Sequence, residues 1–142
     1  MNDVPPRVRG RHYLLKPEFL RLSEWKTVRS RSRCARNPEA RIEEATRLAL
    51  SASDESVKIG LLRILEGVDW PTASVILHFC DHRPYPILDY RALWSLGFDS
   101  PPTYSYSFWE QYTAYVRELA DRTGHSMRTI DRALWQYSNE NQ

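Results

Sequence analysis

The chain has 142 residues, 42% apolar and 27% charged, with a formal net charge of +2. That length fits one compact domain, or one small domain with a tail. Its 5 Trp, 8 Tyr and 4 Phe supply bulky core side chains, which excludes disorder throughout. No apolar run approaches the roughly 18 residues of a membrane span and no secretory signal opens the sequence. The expected setting is therefore cytoplasmic, with no membrane partner. Two cysteines, Cys34 and Cys80, are too few for a disulfide scaffold, an all-cysteine zinc site or a four-cysteine iron–sulfur cluster.

The small net charge hides an asymmetry. Residues 1–36 carry 10 Lys and Arg against 3 acids, and residues 37–142 carry 10 against 15. The densest run is Lys26-Thr27-Val28-Arg29-Ser30-Arg31-Ser32-Arg33-Cys34-Ala35-Arg36. Such a segment neutralises phosphates and releases counterions, so Lys26, Arg29, Arg31 and Arg33 are candidate DNA contacts. The competing reading is a solvated basic loop that offsets an acidic body.

In chain order, residues 1–13 hold Pro5, Pro6 and Gly10 without an apolar stripe and read as a flexible arm. A single helical domain is expected over 14–142. Pro17 suits the start of a helix with Phe19, Leu22, Trp25 and Val28 at three-residue steps. Asn37-Pro38-Glu39 reads as N-cap, first position and acidic first turn of a helix through Leu50. Ser53-Asp54-Glu55 starts another, with Val57, Leu61, Ile64 and Leu65 on one face, and Gly67 ends it. Pro71 to Cys80 is a short apolar helix, followed by an extended Tyr85-Pro86-Ile87-Leu88. Asp89 caps a helix ending near Leu96, with Gly97 just beyond it. Ser107-Phe108-Trp109-Glu110 forms a capping box for a helix whose inner face is Phe108, Tyr112, Tyr115, Val116 and Leu119, closed by Gly124. A last helix turns Met127, Ile130, Leu134 and Tyr137 inward. The predicted class is all-α, with no internal repeat.

Two stretches carry chemistry: a helix-turn-helix hairpin over 61–80 and an aspartate-bearing helix start over 85–97. The turn between the first two helices directs backbone N–H groups outward, as a DNA phosphate requires. In Leu65-Glu66-Gly67-Val68-Asp69-Trp70-Pro71-Thr72-Ala73-Ser74-Val75-Ile76-Leu77, the residues Leu65, Gly67, Val68, Thr72, Ala73, Ile76 and Leu77 stand where a hairpin of the form L-P-G-V-G-x-K-T-A-x-x-I-L has its own. Asp89 follows the lysine position of that hairpin, here Pro71, by eighteen residues, within Pro86-Ile87-Leu88-Asp89-Tyr90-Arg91-Ala92-Leu93-Trp94-Ser95-Leu96-Gly97. Over about 35 residues, from Leu62 to Gly97, the sequence resembles the helix-hairpin-helix DNA glycosylase superfamily of endonuclease III-like enzymes. The resemblance implies duplex DNA as partner, Gly67, Val68, Trp70 and Thr72 at the phosphate, and Asp89 as the catalytic carboxylate.

The departures narrow the activity. Pro71 replaces the Schiff-base lysine, so lyase chemistry is excluded and a monofunctional glycosylase is implied. The iron–sulfur cysteines are absent and no cofactor is expected. Asp69 replaces the second hairpin glycine, where its carboxylate would repel a phosphate or simply cap a helix. The chain is also shorter than typical family enzymes, which implies fewer helices around the base.

Cleaving an N-glycosidic bond builds oxocarbenium-like charge on the sugar. A carboxylate about 4 Å away in a partly dry site is worth roughly 4 kcal/mol, close to a thousandfold in rate, and it can also orient or deprotonate the attacking water. The competing role for Asp89 is a plain N-cap worth about 1 kcal/mol. A flipped base needs aromatic faces, for which Trp70, Tyr85, Tyr90, Trp94 and Trp25 are candidates, with Trp135 a further one. Trp70, in a turn expected to be exposed, is the best wedge, and Arg91 can contact the phosphate beside a flipped nucleotide. His78, Cys80, Asp81 and His82 match no recognised ligand spacing, so no metal is assigned.

Three readings follow. The first is a small monomeric glycosylase-like enzyme serving base-excision repair or acting on foreign DNA with modified bases. The second is a non-catalytic DNA-binding or protein-interaction module on the same scaffold. The third is a helical protein-binding domain in which the arginines only confer solubility.

Overall fold

Helices here begin where a side chain or a proline takes over the first orphan amides. The computed structural model describes residues 8, 10–98, 100 and 102–142. Eight helices are assigned among them: α1 (Lys16–Lys26), α2 (Arg31–Cys34), α3 (Glu39–Ser51), α4 (Glu55–Arg63), α5 (Trp70–Cys80), α6 (Tyr90–Ser95), α7 (Tyr106–Thr123) and α8 (Met127–Asn141). The described residues contain no strand, and the fold class is all-α. Asp54, Asp89, Ser105 and Ser126 each accept hydrogen bonds from amides of the first turn that they precede. The cap of α7 is thus Ser105, two residues upstream of the expected box at Ser107. Gly97 (φ 106°) and Gly124 (φ 74°) follow the ends of α6 and α7 in left-handed geometry, as expected. No helix among the described residues is long and apolar enough to cross a membrane.

The chain divides into two compact units, one up to Arg83 and one from Pro84 onward. In the first, α5 is buried on nearly every side, from Trp70 through Leu77 and again at Cys80, as an all-round apolar helix must be. Phe19 and Leu22 of α1, Ile42 and Ala49 of α3, and Ile59 and Leu62 of α4 complete its core. The expected α1 stripe stops at Leu22, because the helix ends at Lys26 and Val28 lies out in solvent. Of the expected arm, residues 1–7 and 9 lie outside the described residues. Val8 is buried, and Arg11 grips Glu18 with two hydrogen bonds of 2.6 and 2.9 Å.

The face of α4 is rotated from expectation. Of the expected face, Leu65 is buried and Leu61 half-buried, but Val57 and Ile64 are 50% and 63% exposed, whereas Lys58, Ile59 and Leu62 are buried. The physical reason is Lys58. Its ammonium donates to the carbonyls of Ala49 (2.7 Å) and Leu50 (3.3 Å) at the end of α3 and to Asp81 Oδ2 (2.6 Å) just past α5. Asp81 Oδ1 accepts the amide of Arg83 (2.9 Å). One cation thus satisfies two helix-terminal carbonyls and a buried carboxylate together.

In the second unit, Tyr85 stacks on Trp109 with ring centroids 5.8 Å apart, and the Arg117 guanidinium lies 4.6 Å above the Tyr85 ring. Arg117 Nε also donates to Pro84 O (2.8 Å). The segment over 85–88 is buried and belongs to no helix or strand, so its peptide groups need partners from side chains. Trp109, Tyr112, Thr113 and Val116 of α7 and Met127, Ile130 and Asp131 of α8 line this core. Tyr115 and Tyr137, expected inward, are exposed.

Removing one member of a buried pair strands the other charge. We expect Lys58→Met to cost about 3–5 kcal/mol in urea unfolding. Adding Asp81→Leu is expected to recover part of that loss, so the double variant is less destabilised than the sum of the singles.

Candidate nucleic-acid interface and carboxylate site

In the first unit, residues 64–69 turn α4 into α5. Gly67 has φ 80°, and a Cβ there would lie 2.6 Å from Cys34 Sγ and 2.9 Å from Cys34 N. Only glycine allows both the left-handed backbone and this approach. Asn37 completes the join. Its Nδ2 donates to Cys34 O (2.8 Å) and Glu66 O (2.9 Å), and its Oδ1 accepts the Glu66 amide (2.8 Å). Asn37 is therefore a buried strap between the basic segment and the hairpin, while Pro38 holds the N-cap position of α3 expected for it. The arginines stay outside: Arg29, Arg31 and Arg33 are exposed, and Arg31 Nε lies 2.7 Å from Glu24. Lys26 closes α1. The structure thus fastens the basic run to the hairpin turn.

Several of the turn's amides have partners within the chain. Val68 donates to Leu65 O (3.2 Å), Trp70 to Asp69 Oδ1 (2.8 Å) and Ala73 to Asp69 O (2.9 Å), while Pro71 has no N–H to give. Val68, Trp70 and Thr72 are buried. In the phosphate cradle expected at Gly67, Val68, Trp70 and Thr72, the Val68 and Trp70 amides are engaged internally, and Asp69 acts as the cap of α5 and lies 3.5 Å from Arg63. Trp70 is not an exposed wedge. It is 7% exposed, with the Arg63 guanidinium 4.1 Å above its ring, since the indole gains more from burial in the helix core than from solvent.

In the second unit, Asp89 sits half-buried ahead of α6, its Oδ1 accepting the amides of Arg91 (2.7 Å) and Ala92 (3.1 Å). Two residues earlier, the Ile87 peptide is gripped at both ends. Its N–H donates to Asp131 Oδ2 (3.1 Å), and its carbonyl accepts the Tyr112 hydroxyl (3.0 Å). Burial, then the negative fields of Asp131 and Asp89 and a smaller effect of Tyr104, push the Tyr112 phenol well above its usual value. Two carboxylates therefore act on one buried hydroxyl. Asp131 and Tyr112 were not singled out by sequence, where Tyr112 reads only as core and Asp131 as one polar residue on an amphipathic helix. An anionic, partly dry locus of this kind stabilises developing positive charge and repels a phosphate.

The aromatic candidates separate. Tyr85 is fully buried under Arg117 and is core rather than a base platform. Tyr90 is exposed and its hydroxyl accepts Gln142 Nε2 (2.8 Å), and Trp94 packs against Tyr137 at 6.0 Å. Trp25, exposed in the first unit, meets Phe79 edge-on at 5.2 Å. Arg91 lies over Trp135, 5.3 Å from its centroid. Within the His78–His82 group, Asp81 holds Lys58 and lies 3.5 Å from His82 Nδ1, and His78 packs edge-on against Phe79. No group of three or more potential ligands converges among the described residues. No family model, curated protein or solved structure matches the chain.

A phenol whose folded pKa is raised contributes stability that is intact below the unfolded value of about 10 and is lost as pH climbs towards the folded one. Phenolate absorbance is expected to show Tyr112 as a late-titrating tyrosine. Asp131→Asn and Asp89→Asn should both move it to lower pH, the first further than the second.

Proposed function

We propose that the protein binds duplex DNA, receives a flipped damaged or modified base, and hydrolyses its N-glycosidic bond with Asp89, without lyase chemistry. The observation that carries this reading is the setting of Asp89. Its carboxylate is half-buried, oriented by two backbone amides, and shares a locus with the second acid, Asp131, that acts on Tyr112. In that role Asp89 faces the sugar as positive charge develops and directs the attacking water. Asp131 and Tyr112 are positioning residues that fix the Ile87 peptide two residues before it. With no lysine at position 71, the product is an abasic site on an intact strand.

DNA affinity in this reading rests on the exposed arginines 29, 31 and 33 fastened to the hairpin by Asn37. Asp69, which caps α5 where the hairpin pattern has its second glycine, favours a second reading, a DNA-binding module of the same scaffold without the hydrolytic step. The two diverge at Asp89. In the enzyme, Asp89→Asn lowers single-turnover abasic-site formation by about a thousandfold and leaves DNA affinity unchanged. In the module, no abasic sites arise from alkylated, oxidised, deaminated or hypermodified duplexes.

The binding claim has its own test. Each phosphate contact contributes about 0.9 to the slope of log affinity against log salt on duplex DNA. Changing Arg29, Arg31 and Arg33 together to Gln is expected to lower that slope by about 2.7. A slope equal to the parent's would remove the basic segment from the interface.

A further inference from the structure

A base leaving a duplex opens a gap in the stack, and an apolar side chain set into that gap keeps it from closing. Trp70, which lies in the core, does not supply one. The task calls for a side chain that is exposed, free of polar atoms and held on a firm backbone. Six large aromatic side chains are exposed among the described residues: Trp25, Tyr90, Phe98, Tyr115, Trp135 and Tyr137. Five of these carry an indole N–H or a phenol, and Phe98, 39% exposed, carries neither.

Phe98 also has a rigid mount. Gly97 takes φ 106° just past α6, its amide donates to Trp94 O (3.0 Å), and the Phe98 amide donates to Leu93 O (3.0 Å). These two bonds close α6 in a Schellman motif and hold residue 98 at a set place beyond the helix end. The ring is braced by Phe108 of α7, edge-on with centroids 5.8 Å apart. Phe108 in turn stacks on Tyr112 at 6.4 Å, whose hydroxyl holds the Ile87 carbonyl two residues before Asp89. One line of aromatic contacts thus joins the exposed ring to the segment that carries the carboxylate. Ring and carboxylate stand at opposite ends of the six-residue α6, roughly 9 Å long and well inside a duplex turn of about 34 Å.

We propose that Phe98 is the wedge that enters duplex DNA where the target base has left the stack. This inference rests on the reading of a duplex-binding protein that extrudes a base, and it does not require hydrolysis by Asp89. In it, the benzene ring takes up the stacking lost by the neighbouring base pair, and burial of its exposed part between base faces drives insertion. A phenol or an indole would carry into the stack a polar atom that needs a partner there.

The test is the fluorescence of one 2-aminopurine placed in a mismatch within a short duplex, read with the full chain at saturation. Its emission rises as the base leaves the stack. Phe98→Ala is expected to reduce that rise about tenfold, and Phe98→Leu to keep most of it. Duplex affinity by anisotropy should stay within about twofold of the parent's for both variants, because the phosphate contacts are untouched. Thermal unfolding by circular dichroism establishes that each variant is folded. A rise with Phe98→Ala equal to the parent's overturns the proposal, as does a parent that binds the duplex with no rise at all. Asp89→Asn should give the parent's full rise, so loss of hydrolysis and loss of the wedge are read separately. A Phe98-dependent rise in a chain that forms no abasic sites from any damaged duplex supports the wedge and removes only the hydrolytic reading.

Discussion

The buried ammonium of Lys58 is the constraint on which the first unit depends. A charge sealed from water is tolerated only when every donor finds a strong acceptor. Here the acceptors are the ends of two other helices: the last carbonyls of α3 and the carboxylate just past α5. That requirement fixes the rotation of α4, turning Lys58 inward and Val57 and Ile64 outward. The rotation of α4 in turn sets how its C-terminus enters the hairpin. A simple apolar residue at this position would fill the same space without dictating where α3 and α5 must stop.

The second unit solves a related problem with neutral and anionic groups. A buried segment that belongs to no helix or strand leaves both sides of its backbone unsatisfied, and the Ile87 peptide is completed by a carboxylate on one side and a phenol on the other. One of the groups that repair the backbone, Asp131, also acts with Asp89 to keep the Tyr112 phenol protonated. Structural satisfaction and electrostatic character therefore come from one arrangement, so a change at Asp131 acts on both at once.

Local signals were readable in the sequence and distant ones were not. Asp54 and Asp89 as caps, and Gly97 and Gly124 as helix terminators, depend on partners within four residues, and the sequence pattern locates them. Asn37 looks like a cap from its neighbours Pro38 and Glu39, yet its partner is the backbone of Glu66, 29 residues away. Asp131 binds across 44 residues, and no periodicity announces that. Half of the hydrophobic stripe over 57–65, Val57 and Ile64, faces outward because a lysine with a complete set of acceptors outcompetes two aliphatic side chains for the interior. Trp70 reads as exposed because it borders a turn, but its ring takes part in the core.

The contact between Gly67 and Cys34 makes two remote positions a single steric unit. A β-carbon at residue 67 would meet the backbone nitrogen of Cys34 as well as its sulfur, so no smaller residue 34 makes room for it, and the positive φ at 67 resists any β-carbon besides. The 26–36 run consequently has little freedom to drift in register along the hairpin. Its side chains are long and mobile, but the spacing of their roots is set by the thickness of one missing methyl group.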